Sequence, residues 1–182
     1  MADGKYIFLD FDDVVCTNAT YKAWRTLTGA GRGESPKNLA EYVSLFDKKI
    51  VALINRICDE TGAKIVISSS WRLATTQPYD VIEVMRLAGF TAEIVGKTPF
   101  LGRIIPRGHE IAEYIKVHGL ELSQILILDD DIMTSWVPSN WSVPKEGYKK
   151  HGGRWLQTKG ETGLTLKQTL RAIKMLGPIS SN

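Results

Sequence analysis

Cysteine is scarce in this 182-residue sequence: Cys16 and Cys58 stand far apart and in no C-x-x-C pair. That excludes a disulfide scaffold and a thiolate metal knuckle, and suits a reducing, cytoplasmic setting. His109, His118 and His151 are scattered without ligand spacing, so they are assigned no chemistry. Long apolar runs are also missing. No segment approaches the ~18 uninterrupted apolar residues of a membrane span. The opening MADGKYIFLD has no basic stretch followed by an apolar one. The expectation is a soluble protein with no targeting segment and no membrane partner. A formal charge of +3 is too small by itself to argue for nucleic acid, so the distribution of charge has to carry that case. No internal repeat or low-complexity tract interrupts the chain.

What is present is enough apolar material, 43% of residues, to bury one core, and the expectation is a single domain over residues 1–182. Short β-prone apolar runs at Tyr6 to Leu9, Lys64 to Ile67, Thr91 to Val95 and Ile125 to Leu128 read as strands, with Arg154 to Gln157 as a fifth. Between them lie stretches with helical spacing: Leu39 to Thr61, Pro78 to Ala88, His109 to His118 and, last, Leu166 to Leu176. Cys16 to Asn38 accumulates Thr, Asn, Gly, Ser and Pro and reads as a loop. Strands alternating with helices predict an α/β fold, a Rossmann-like parallel sheet of about five strands covered on both faces.

Ligands of such sheets sit beyond the carboxyl ends of the strands, where strand order reverses. Three of the strands end in chemistry: DFDD after Leu9, SSSWR after Ile67 and DDD after Leu128. A single Asp there is commonly a turn or cap residue. Two acidic clusters at one sheet edge are different, because like charges at close range cost stability unless a cation neutralises them. Mg²⁺, a hard ion that takes a few carboxylates and keeps several waters, answers that need. A carboxylate held beside such an ion can also attack phosphorus. Asp10 and Asp12, two apart on an extended segment, share a side, so one can attack while the other protonates the leaving oxygen.

These residues resemble a known family. LDFDDVV resembles motif I of the haloacid dehalogenase (HAD) superfamily of phosphohydrolases, h-h-D-x-D-x-[TV]-h, IVISSS resembles motif II, and ILILDDD the acidic motif IV. The similarity is closest to the HAD domains of Swiss-army-knife RNA repair proteins, through TGAKIVISSSWR, a GKTP followed by RGHEI, and a late GLT. The resemblance implies Asp10 as nucleophile and Asp12 as general acid and base. It implies Mg²⁺ held by the Asp10 side chain, the Asp12 backbone carbonyl and an acid of motif IV, Asp130 or Asp129. The motif II hydroxyl falls on Ser68, with Ser69 and Ser70 as alternatives, and Arg72 is expected to reach the substrate. Arg107 best matches the motif III base, with Lys97 and Arg103 behind it. Asp13 stands where the family often has Gly.

Between motifs I and II there is room only for a small cap or flap, residues 16–45. From Thr17 to Asn38, Lys22, Arg25, Arg32 and Lys37 face Glu34 alone, with Tyr21 and Trp24 among them. From Trp141 to Leu176 eight Lys or Arg residues outnumber Glu146 and Glu161, with Tyr148 and Trp155 interleaved. Cations track phosphates and aromatic faces stack bases, so the expected substrate is a nucleotide or a phosphorylated nucleic-acid end. Trp71 and Trp155, each beside an apolar strand, are read as packing residues. Cys16 is read as a small buried residue, since no Arg follows it at phosphatase-loop spacing. Two other readings remain open: a binding module on a HAD frame that has lost turnover, and a receiver-type phosphoacceptor domain.

Overall fold

The computed structural model describes residues 4–73, 78–102, 105, 107–131 and 154–179. Five parallel strands form one sheet: β1 (Lys5–Leu9), β2 (Ala63–Ile67), β3 (Ile94–Lys97), β4 (Ile125–Asp129) and β5 (Trp155–Gln157), in the order β3-β2-β1-β4-β5. Among the described residues the helices are α1 (Asn18–Thr28), α2 (Leu39–Ser44), α3 (Lys48–Thr61), α4 (Val81–Leu87), α5 (Arg107–His118) and α6 (Leu166–Leu176), with short 3-10 turns at Ser70–Leu73 and Leu122–Gln124. The expected Rossmann-like α/β architecture is the one observed.

Both faces of the sheet are buried, which is why its strands read as unbroken apolar runs. Ile7, Leu9, Ile65, Ile67, Leu126 and Leu128 point into the larger core, shared with Ile54 and Ile57 of α3 and Ala172 of α6. Phe8, Val66, Ile125 and Ile127 point to the other face, against Ile111, Tyr114 and Ile115 of α5. The alternation within β1 is a direct result of the period of two along a strand.

Two expectations about the helices change. Residues 16–38 are not all loop, because α1 lies within them. Thr17 caps it by accepting from Thr20 N while Thr20 Oγ1 accepts from Thr17 N, and Gly29 ends it in the left-handed conformation at φ 73°. The capping box here uses Thr in place of the usual Glu or Gln, so it looks like loop composition. The single helix expected over Leu39 to Thr61 is two, because Asp47 caps a new start by accepting from Lys49 N at 2.8 Å. Trp24, Tyr42 and Leu45, all within residues 16–45, are buried in the larger core. β3 also starts later than expected, at Ile94, and α5 starts two residues earlier, at Arg107.

One close approach locks the loop after β5 against the loop after β1. Asn18 N donates to Gly160 O at 2.8 Å and Leu164 N to Val14 O at 3.0 Å. Between them Gly163 sits at φ 58°, where an added Cβ would stand 2.6 Å from Val14 O and 2.4 Å from Ile50 Cδ1. Gly163→Ala therefore meets both left-handed strain and overlap. The expected loss is about 2 kcal/mol or more, a fall in melting temperature of roughly 4–8 °C. Gly29→Ala, at φ 73° with nothing within 4 Å, is the control and loses only about 1 kcal/mol. Equal losses in the two variants would show that the packing of the two loops contributes nothing.

Candidate functional site

β1 lies between β2 and β4, and the chain runs to β2 and β3 on one side before β4 and β5 form on the other. The crevice between the ends of β1 and β4 is therefore the switch point of the sheet. Asp10 and Asp129 meet there. Asp10 N donates to Leu128 O at 3.0 Å and Ser68 N to Leu9 O at 3.0 Å, so the ends of β4, β1 and β2 are tied in register.

Asp10 is 1% exposed; its Oδ1 accepts from Phe11 N at 2.8 Å and its Oδ2 accepts from Arg107. The same Nη1 of Arg107 donates to Asp129 Oδ2 at 2.8 Å, while Asp129 Oδ1 accepts from Asp131 N at 3.1 Å. Carboxylate oxygens of Asp10, Asp129 and Asp130 lie within 4.8 Å of one another. Burial, and then the charge of Asp10, push the Asp129 carboxyl up to about 7, with Arg107 opposing them. Asp130 is raised by burial first and by Asp10 and Asp13 next.

Asp12 stands beside this group but has different partners. Its Oδ1 accepts from Tyr21 OH at 2.6 Å and its Oδ2 from Trp71 Nε1 at 3.1 Å. Burial raises its pKa more than these bonds lower it. Such a carboxyl holds its proton more readily than a solvated Asp, which suits a general acid. Trp71 is also the packing residue expected, edge-on to Phe11, Tyr42 and Phe46.

A family model for the HAD domain in Swiss Army Knife RNA repair proteins matches residues 6–169. The chain belongs to this family. No curated protein and no solved structure matches it significantly. Among the described residues, no helix is long and apolar enough to cross a membrane.

Within this HAD domain the other sequence candidates fall in several places. Ser68 is fully buried at the end of β2, and among the described residues its Oγ has no hydrogen-bond partner. A buried hydroxyl in that state is unfavourable unless something polar completes it. Ser69 is buried too, with its Oγ 3.4 Å from Trp71 N, while Ser70 is exposed. Lys97 is exposed at the end of β3 and pairs with Asp80 at 3.4 Å, so it does not join the acids. Arg103 lies outside the described residues. Three oxygen donors of the hard type, beside an unpartnered hydroxyl, fit Mg²⁺ in donor chemistry.

Arg72, expected to reach the substrate, is instead turned inward, its side chain 3% exposed. Nε donates to Thr98 O at 2.9 Å, Nη1 to Ser68 O and Ser69 O at 3.0 and 2.8 Å, and Nη2 to Pro99 O at 3.2 Å and to Glu110. Glu110, one turn after Arg107 on α5, also accepts from Leu101 N at 3.1 Å. The pair thus ties the motif II turn and the turn after β3 to the helix that carries Arg107. Sequence reasoning missed Glu110, and it missed Tyr21 and Trp71 as partners of Asp12. It also missed Thr98 and Thr158, whose buried Oγ1 atoms end β3 and β5 with no partner among the described residues. Their one signal was position, a hydroxyl directly after a strand.

Two outcomes are expected from this geometry. Arg72→Leu or Glu110→Gln alone leaves a buried charge unpaired and loses about 3–5 kcal/mol, whereas the double variant recovers part of that in a double-mutant cycle. Additive losses in chemical denaturation would refute the coupling. Between an unfolded pKa of 3.8 and a folded value of about 7, folded Asp129 binds more proton than the unfolded chain. The stability it contributes is present at low pH and lost as pH rises through that window, and Asp12 and Asp130, also raised, act with the same sign. In chelator, melting temperature should fall from about pH 5 to about pH 8, and Asp129→Asn should flatten that slope. An unchanged slope in the variant would remove Asp129 as its source.

Proposed function

We propose that this chain is a Mg²⁺-dependent phosphomonoesterase acting on a nucleotide or a phosphorylated nucleic-acid end through an aspartyl-phosphate at Asp10. The observation that carries the reading is the meeting of three carboxylates, Asp10, Asp129 and Asp130, with Arg107 at the switch point of the sheet. The side chains of Asp10, Asp129 and Asp130, with the backbone carbonyl of Asp12, would hold the ion. When bound it offsets the repulsion between an anionic nucleophile and an anionic phosphate.

In the first half-reaction a carboxylate oxygen of Asp10 forms a bond to phosphorus as the bond from phosphorus to the leaving oxygen breaks. Asp12 gives its proton to that oxygen, and the alcohol departs. In the second half, water attacks the aspartyl-phosphate, Asp12 takes the proton, and inorganic phosphate leaves with Asp10 restored. Tyr21 and Trp71 fix the direction of the Asp12 carboxyl through both steps. Arg107 takes charge that develops on the phosphoryl oxygens, and Ser68 Oγ supplies a hydrogen bond to one of them. Residues 16–45 serve as the small cap. The basic and aromatic residues of α1 support a nucleotide or nucleic-acid substrate, since it is from there that the residues beside Asp12 come.

The test is phosphate release with Mg²⁺ and with chelator, across nucleoside monophosphates, phosphorylated oligonucleotides and sugar phosphates. Release should need Mg²⁺, favour the nucleotide members, and fall at least about 10³-fold in Asp10→Asn, since the variant lacks the nucleophile. Wild-type turnover in that variant would remove Asp10 as the attacking group. No release from any member by folded, Mg²⁺-supplied protein would leave a domain that binds without turnover.

A further inference from the structure

We infer that Arg25 forms a second phosphate subsite on the leaving-group side of Asp12, so that the substrate carries another phosphate next to the one removed. The inference rests on the phosphatase reading above for which side is which.

Arg25 lies one turn after Tyr21 on α1, and its Cζ stands 5.7 Å from the centre of the Tyr21 ring. Tyr21 OH in turn donates to Asp12 Oδ1 at 2.6 Å. The guanidinium is thus one aromatic ring away from the carboxyl that must touch the leaving oxygen. Among the described residues it makes no ion pair. α1 has the sequence NATYKAWRTLT, with Lys22 and Arg25 and no acid, and among the described residues no carboxylate pairs with Arg25. Its Nε is buried with no acceptor.

A cation stacked on an aromatic ring at i, i+4 is an ordinary way to stabilise a helix. That accounts for the contact with Tyr21 but not for a buried N–H left without a partner, which is costly. Arg72 shows the contrast: every nitrogen of its guanidinium has a protein acceptor. The Nη nitrogens of the half-buried Arg25 side chain bond no described residue and retain donors for something outside the chain. A planar guanidinium beside a phosphate-cleaving site is matched by phosphate oxygens, which it binds in pairs. The chemical class is therefore a nucleoside bisphosphate or the terminal phosphate of a strand, where the next phosphodiester belongs to the leaving group. A nucleoside monophosphate offers Arg25 nothing.

The experiment compares kcat/KM for matched substrates with the same terminal phosphate: a nucleoside monophosphate and a dinucleotide, in 3′- and 5′-phosphorylated forms. For at least one end, the ratio of dinucleotide to mononucleotide should be about tenfold or more in the natural protein. It should collapse toward one in Arg25→Gln and be largely kept in Arg25→Lys. Damage to folding or to the reacting groups lowers both rates and leaves the ratio in place, so the ratio isolates the subsite. A ratio near one in the natural protein, or one unchanged in Arg25→Gln, overturns the inference while leaving the phosphatase reading intact. Should nothing be hydrolysed, the phosphatase reading fails by itself, and equilibrium binding of the same labelled compounds decides. A tenfold preference for the dinucleotide that Arg25→Gln abolishes upholds the subsite, and equal binding removes it.

Discussion

Two carboxylates, Asp10 and Asp129, end adjacent parallel strands and are almost wholly out of water, and a positive charge between them is the condition on which the rest of the site depends. Arg107 meets that condition with one nitrogen shared by both. Its side chain is partly exposed where theirs are not, so the cation closes the site from the solvent side while the acids form its floor. Even so, the Asp129 carboxyl is pushed well above an ordinary Asp. One guanidinium does not offset the whole cost of burying two carboxylates so close together.

Holding Arg107 in place is a second buried pair. Arg72 gathers four backbone carbonyls from two strand-end turns and closes on Glu110, which shares α5 with Arg107. The motif II turn and the helix that carries Arg107 are thus tied together by one guanidinium. On the opposite side, Tyr21 and Trp71 do the same for Asp12, and they come from α1 and from the turn after β2. Arg107 and Asp12 are thus each held by residues from other segments of the chain.

The strands, their order of appearance and most of the helices were legible, because both faces of the sheet are buried and a parallel strand then reads as a continuous apolar run. Asp10, Asp12, Asp129, Asp130 and Ser68 were legible for a related reason: they follow strands directly, and strand ends of a parallel sheet converge. α1 was hidden because Thr serves at both its cap and its third position, which in composition resembles loop. The break at Asp47 was hidden because an apolar period of 3.6 continues across it. The misreading of Arg72 has a different origin. An arginine after a motif II turn has the same appearance in sequence whether it points outward to substrate or inward to carbonyls.

By itself, then, the sequence determined the fold class, the sheet edge where chemistry gathers, and the acids that lie on it, since periodicity and strand-end position are local properties. Only the tertiary structure decided that Arg107 rather than Lys97 joins the acids and that Arg72 faces Glu110. The same holds for Tyr21 and Trp71 bonding Asp12, and for Arg25 standing beside Tyr21 with no ion pair among the described residues. Each of those facts depends on which side chains of distant segments come within hydrogen-bonding reach, and reach is set by the packing of helices on the sheet.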